Sequence, residues 1–403
     1  MKLTLRQQLT QFSQVLQSTL FPVLEEELGE LTASARRLVA TLEMIPLSRF
    51  VPSSRGWMGR PSKDRYAIAC SFVAKAVYGF GATRQLLEAL ERDAQLRRIC
   101  GWESARQVPH ESTFSRAFEE FARMELPQFV HEALIAETQK DRLIGHIARD
   151  STAIAAREHY PETPAQRAAR KAARNAARKA ERAAARANRM PGPRGPHKRH
   201  KGGKPPYAPT SDTRLKRQRS MTLEAMLADL PRQCDVGGKR DNNGNTQYWR
   251  GYKLHLDVAD GQIPISALLT SASVHDSQVA IPLATISTKR VTYFYDVMDS
   301  AYDAYHIRER SRELGHVPIV NPKAPIMPKS KAPAIPVGVV RRQLSWAEEE
   351  RYKERTMVER VNGRLKDEFG GRHVRVRGAA KVMAHLMFGV LALTADQILR
   401  LIL

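Results

Sequence analysis

From Leu143 onward, short apolar runs alternate with segments of helical length, and this order admits few folds. "LIGHIARDSTAI", "YWRGYKLHLDVA" and "IPISALLTSASV" read as three strands, the last two joined by the turn residues Asp260 and Gly261. "HDSQVAIPLATI" reads as a short helix and "RVTYFYDVMDS" as a fourth strand. "AYDAYHIRERSRELG" is a helix with Gly315 as its C-cap signal, and "HVPIVNP" is one more short strand. A Pro/Lys-rich loop, residues 322–337, leads to a final amphipathic stretch, "YKERTMVERVNGRLKDEFG". Three strands, helix, strand, helix, strand, helix suits a mixed sheet with helices on both faces.

That order is the one of ribonuclease-H-like folds, so residues 138–403 are expected to form an α/β domain of that class. Residues 1–137 read as helical throughout and are expected to be a separate all-α domain for DNA binding or assembly. Ala82–Leu96 followed by Ser112–Ala122 fits a helix-turn-helix, with Ser112, Thr113, Ser115 and Arg116 at the start of the second helix. A helical module for packing or self-association fits as well. The C-terminal "KVMAHLMFGVLALTADQILRLIL" is the most apolar stretch, but Lys381, His385, Asp396 and Arg400 interrupt it. It reads as a buried core helix and not a membrane span. The first residues have no continuous apolar run, so no signal peptide is expected. Three distant cysteines, Cys70, Cys100 and Cys234, form no CxxC pair and fit a reducing cytosol.

Residues 156–245 interrupt the strand order between the first and second strands. The chain carries a net charge of +23, of which residues 165–220 hold +16, with 18 Lys/Arg against Glu181 and Asp212. Such a balance points to a polyanionic partner. Within residues 165–189 lie 12 Ala, seven Arg and two Lys, types that favour helix. Arg170, Arg174, Arg178, Arg182 and Arg186 recur every four residues and draw a slowly winding positive stripe. Like charges at that spacing repel, and a phosphate backbone relieves them by counterion release. The segment therefore reads as a basic helical insert that contacts nucleic acid. No apolar face accompanies the stripe, so a membrane surface fits poorly. "MPGPRGPHKRHKGGKPP" reads as a basic linker.

On a continuous helix, at about 100° per residue, Tyr352, Arg355, Glu359 and Lys366 share an arc of about 60°. Val358, Val361, Leu365 and Phe369 fill a separate apolar arc that would face a core. An Arg355–Glu359 pair at i,i+4 is also an ordinary helix stabiliser. Two aspartates stand at strand ends, Asp150 after the first strand and Asp299 after the fourth. Ligands gather outside the carboxyl ends of strands in open α/β sheets. With Glu359 from the docked helix, these acids would make a hard-oxygen site suited to Mg²⁺, with Mn²⁺ able to substitute. Two such ions about 4 Å apart activate a hydroxyl and stabilise the leaving oxygen of a phosphodiester. Asp296 competes with Asp299 for the second position. His275 and Asp276 read as a structural turn before a helix.

The Tyr-(x2)-Arg-(x3)-Glu-(x6)-Lys spacing of residues 352–366 resembles the signature of bacterial insertion-sequence DDE transposases. "ARDSTAI" and "MDSAYDAYHI" resemble the segments that hold the family's first and second aspartates, which places them on Asp150 and Asp299. "YWRGYKLHL", "TSASVHDSQVAIPLA", "RPSKDRYAI" and "VPHESTFSRAF" look like the same group. The resemblance implies catalytic and metal-binding roles for Asp150, Asp299 and Glu359, with two Mg²⁺ ions. It implies phosphate contacts for Tyr352, Arg355 and Lys366; the five stripe arginines are expected to add others. It further implies cut-and-paste transposition: cleavage at terminal inverted repeats, then strand transfer to target DNA. The expected partner is double-stranded DNA, with no membrane and with room for a homodimer, in a bacterial cytoplasm at the nucleoid. The resemblance also offers Trp249 and Trp346 as candidates for a base-stacking residue, although a core role suits a tryptophan better. A ribonuclease-H-like nuclease and an inactive DNA-binding descendant are the alternatives.

Overall fold

The computed structural model describes residues 5–51, 63–158, 164–187, 213–240, 245–322 and 344–401. The basic linker at 190–206 and nearly all of the loop after residue 322 lie outside them. The chain divides into two compact units, Met1–Arg157 with Arg214–Leu403, and Glu158–Thr213.

Among the described residues, the first unit opens with eight α-helices. They are α1 (Leu5–Val15), α2 (Phe21–Leu28), α3 (Ala33–Met44), α4 (Arg65–Val77), α5 (Thr83–Arg92), α6 (Ala94–Ile99), α7 (Glu111–Arg123) and α8 (Leu126–Gln139). Asp93 ends α5, and its carboxylate caps α6 through the Leu96 N–H at 3.0 Å. A short 3₁₀ turn, Ala105–Gln107, follows before α7. A helix-turn-helix needs a turn of about three to four residues. Here a helix and a 3₁₀ turn stand between α5 and α7, so that pair does not form one. Ser112, Ser115 and Arg116 are nevertheless exposed at the start of α7.

The sheet contains β1 (Leu143–Ala155), β2 (Asp235–Arg240), β3 (Thr246–Ala259), β4 (Ile263–Ser271), β5 (Thr292–Met298) and β6 (Val317–Val320). Between β1 and β2 come α9 (Pro164–Ala187), α10 (Arg214–Gln218) and α11 (Leu223–Asp229). After β4 come α12 (Ser277–Arg290), α13 (Tyr305–Glu313), α14 (Trp346–Tyr352), α15 (Thr356–Asp367) and α16 (Ala379–Arg400). The strand order is β2-β3-β1-β5-β6, with β4 also paired to β3. β1, β5 and β6 are parallel, while β3 is antiparallel to β1, β2 and β4. This mixed sheet, flanked by helices, has the ribonuclease-H-like form expected from the sequence. Gly315 ends α13 at a φ of 89°, as its C-cap reading requires.

The separate helical unit is narrower than the expected insert at 156–245. α10 packs on α12 and α13, α11 packs on α12, and β2 pairs with the first half of β3. β2, "DVGGKR", was not expected as a strand; its two glycines hide any apolar alternation. They also leave room for neighbours, since a Cβ on Gly237 would stand 2.6 Å from the Trp249 ring.

α16 is apolar on every side and is buried among α3, α4, α7, α8, α15 and β4. Among the described residues it alone is long and apolar enough to cross a membrane, and it lies inside the fold. The N-terminal helices and the sheet thus share one core cluster, from Ile68 and Phe114 to Leu254 and Leu391. We predict that Leu391→Ala costs about 2–5 kcal/mol. Tryptophan fluorescence and far-UV circular dichroism should report one coincident urea transition; two separate transitions would contradict a shared core.

Candidate active site

β1 and β5 are in register at Ile147↔Asp296, Ala148↔Val297 and Arg149↔Met298. β5 stops there, and Asp299 follows at once. Asp150 follows Arg149, so the two aspartates stand at one level, Asp150 within β1 and Asp299 just past the end of β5. Asp150 does not end its strand as expected. β1 continues to Ala155 because β3 pairs with it as far as Gly251.

Alternation along a strand separates successive side chains onto opposite faces. Arg149 points to the face covered by α12 and α13, where it is fully buried. Its Nε and Nη2 donate to Asp257 at 2.7 and 2.8 Å, and Nη2 also donates to Asp296 at 3.2 Å. Asp296 further accepts from Ser311 at 2.6 Å and from the Tyr293 hydroxyl at 3.1 Å. The competition between Asp296 and Asp299 thus has a physical resolution: Asp296 is committed to the core. Asp150 takes the other parity, on the face where α15 crosses β1 and β3.

The stretch carrying Glu359 is not the single helix assumed on the wheel. α14 ends at Tyr352, Lys353–Arg355 form a 3₁₀ turn, and α15 begins at Thr356. The tighter turn changes the phase, so Tyr352 and Arg355 precede the α15 face that carries Glu359 and Lys366. The four still communicate. Arg355 donates to Glu359 at 2.7 Å and lies 5.8 Å from the centre of the Tyr352 ring. Burial raises the Tyr352 phenol, with Asp299 and Glu359 adding to the shift against Arg355. Val358, Val361, Leu365 and Phe369 are buried, as the apolar arc requires.

Burial pushes the Asp150 carboxyl up to about 6, with the charges of Asp299 and Asp276 adding to it; the Ser151 N–H and Lys239 oppose the shift. Asp299 accepts from the Ala301 N–H at 2.9 Å, which fixes the 3₁₀ turn Ser300–Tyr302 after it. Among the described residues, no three His, Cys, Asp or Glu side chains are gathered closely enough to hold a metal ion. The two aspartates fit a hard divalent cation, because burial has left Asp150 short of positive charge. Glu359, 49% exposed, is turned to Arg355 instead of joining them.

Several neighbours had no sequence signal. Lys239 on β2 acts on Asp150. Burial lowers Lys366, with Arg372 and Lys239 as like charges beside it. Lys253 donates to Asp276 at 3.0 Å and to the Val274 carbonyl at 3.0 Å. Asp276 was read as part of a turn, and it does stand at the start of α12, but its side chain makes no cap hydrogen bond there. His275 takes that role toward the Ser277 N–H, at 3.3 Å. Trp249 is packed in the β2–β3 ribbon, its Nε1 donating to the Tyr252 carbonyl at 3.1 Å, whereas Trp346 is 78% exposed at the start of α14. In the other unit, the side chains of Arg174 and Arg178 are exposed on α9. Those of Arg170, Arg182 and Arg186 lie outside the described residues.

Comparison with known families decides the class. A family model described as "Transposase DDE domain" matches residues 212–395. A second, "Transposase domain (DUF772)", matches residues 26–120. The chain thus carries a DDE transposase domain behind a second transposase domain, which is consistent with an insertion-sequence transposase with an N-terminal domain. It is accordingly a phosphoryl-transfer enzyme of transposition, and transposases of this type generally use divalent metal ions and act on DNA. The DDE match takes in Asp299 and Glu359, while Asp150 precedes it in sequence, before the helical unit. Comparisons with curated proteins and with solved structures returned no match.

A pH dependence follows from Asp150. In the unfolded chain it ionises near 3.8 and in the folded one near about 6. Between those values the folded form holds the extra proton, so stability falls as the pH rises through the window, and the loss is complete above it. In EDTA, Asp150→Asn should therefore unfold at a higher temperature than wild type at pH 8, with the gap closing toward pH 4. Equal melting curves at pH 8 would show that Asp150 ionises without cost.

Proposed function

We propose that this transposase binds the terminal inverted repeats of an insertion sequence and moves it by metal-dependent strand cleavage and strand transfer. The observation that carries this reading is the level placement of Asp150 and Asp299, with the Glu359 helix across β1 and β3. Asp150, Asp299 and Glu359 are the catalytic and metal-binding residues, and two Mg²⁺ ions are the cofactor. The ions supply Lewis acidity toward the attacking and leaving oxygens of the phosphodiester. Glu359 joins the aspartates once DNA phosphate draws Arg355 away from it. Tyr352, Arg355 and Lys366 hold the phosphates beside the scissile bond. The stripe arginines of α9 hold phosphates elsewhere along the duplex. The work takes place on chromosomal DNA, in the cytoplasm at the nucleoid.

Cleavage of a supercoiled plasmid carrying the gene with its native flanks tests the reading. Wild type should cut at defined flank positions with Mg²⁺ and not with EDTA. Glu359→Gln should lose cleavage by at least about 100-fold, an electrostatic contribution of ordinary size, and should still bind DNA. Scattered metal-dependent nicks without joining would favour a nuclease. Binding without any cut would favour an inactive descendant.

The charge of the helical unit gives a second expectation. Each phosphate contact adds about −0.9 to the slope of log K against log salt. Deleting residues 158–213 should weaken binding to any duplex and flatten that slope by several contacts, read by fluorescence anisotropy. An unchanged slope would remove α9 from the DNA interface.

A further inference from the structure

The first half of β3 runs past β1. β1 pairs with β3 only as far as Gly251, opposite Ala155, and Thr246–Arg250 continue beyond it with β2 as their partner. A two-stranded ribbon therefore leaves the sheet at the end of β1 that follows Asp150. Asp150 pairs with Leu256, so Tyr248 stands eight residues further along β3. At about 3.4 Å per residue that is a reach of about 27 Å. On one face of the ribbon Val236 is opposite Arg250, and Gly238 is opposite Tyr248. Val236 is 52% exposed, Tyr248 is 73% exposed, and Arg250 is exposed as well. The Tyr248 ring lies over Gly238, where an added Cβ would stand 3.1 Å from its Cε1. Lys239 and Gln247, paired on the other face, are also exposed.

A lone two-stranded ribbon is marginal in water, and glycines within a strand weaken it further. One that is open on both faces, with an aliphatic and an aromatic side chain exposed, is a surface for a partner. Its chemistry indicates which. Lys239 and Arg250 make no ion pair among the described residues. Thr246, Gln247 and Tyr248 carry hydrogen-bonding ends, and no carboxylate occurs in residues 236–240 or 246–250. A second copy of the chain would bring the same cations against these, and a lysine on an edge strand opposes such pairing. Duplex DNA matches both charge and shape. Its major groove, about 12 Å wide, admits a two-stranded β-ribbon. Within it an Arg fork binds guanine O6 and N7, and apolar surface meets the thymine methyl.

We propose that the β2–β3 ribbon lies in the major groove of the element-end duplex, with Tyr248 and Arg250 on base edges and Lys239 on the backbone. The proposal rests on the terminal-repeat reading given above and names the surface that selects the sequence. One turn of duplex is about 34 Å, so a site about 27 Å from Asp150 falls within one turn of the scissile phosphate. Arg355 and Lys366 hold the reacting strand, and the ribbon sets which base pairs come to it.

The test is fluorescence anisotropy of the full chain in EDTA on two duplexes, one from the gene's native flank and one of the same composition in scrambled order. Wild type, Tyr248→Ala and Arg250→Ala are compared, with a melting curve for each. Each variant should prefer the flank about 10-fold less than wild type does, the scale of one lost base contact. Dimethyl sulfate, which attacks guanine N7 in the major groove, gives a readout on wild type alone: bound protein should protect guanines in the flank. Unchanged preference in both variants, an equal loss on both duplexes, or unprotected guanines would overturn the proposal and leave the cleavage reading standing. A wild type with no preference for the flank would overturn terminal-repeat binding and the proposal with it.

Discussion

The Arg149 guanidinium, buried between Asp257 and Asp296, is the interaction on which the candidate site depends. It ties β1 to β3 on one side and to β5 on the other. Removing one partner of a buried pair leaves an uncompensated charge, at about 3–5 kcal/mol. The brace therefore opposes slippage of β5 along β1. A slip of one residue would turn every side chain of the strand to the other face. Asp299 would then leave the level of Asp150. One residue further along β1, on the opposite face, stands the acid that the brace holds in place.

The two faces divide the work. α12 and α13 cover the brace: Ser311 donates to the remaining carboxylate oxygen of Asp296, and Ser287 adds a bond to an Asp257 oxygen that Arg149 also reaches, at 2.6 Å each. α15 lies across the other face, and α16 behind it joins the sheet to the N-terminal helices. Arg364 extends this link, bonding Glu368 at 3.0 Å and Asp396 of α16 at 2.6 Å. The helix that carries Glu359 is thus anchored through its apolar side and its C-terminal end. At its polar start, the 3₁₀ turn at Lys353–Arg355, Lys353 and Glu354 are exposed and Arg355 is half-buried.

Most of the sheet could be read in the sequence because its strands are largely apolar runs. β1, β3, β4 and β6 each bury Val, Ile or Leu, and β5 buries Tyr293, Val297 and Met298, so that each stands out. β2 could not be read, since it exists through pairing with β3 and not through its own side chains. The break at Lys353–Arg355 was hidden too, because every residue in "YKERT" suits a helix. Asp150 and Asp299 could be picked out as acids at strand ends, but weakly, since an aspartate after an apolar run is an ordinary turn residue, and resemblance had to decide between Asp299 and Asp296. Their level placement depends on register across more than a hundred residues of chain. Lys239 and Asp276 gave no sign in the sequence of acting on Asp150, because the fold and not the spacing brings their charges near it.

The central claim is that Asp150 and Asp299 jointly hold the catalytic cation. Anomalous diffraction from Mn²⁺-soaked crystals of the full chain bound to element-end DNA tests it most directly. The account predicts manganese density bridged by these two carboxylates, with Glu359 released from Arg355 and turned toward it. Manganese bound by other acids, or Asp150 and Asp299 bare with DNA seated, would contradict it.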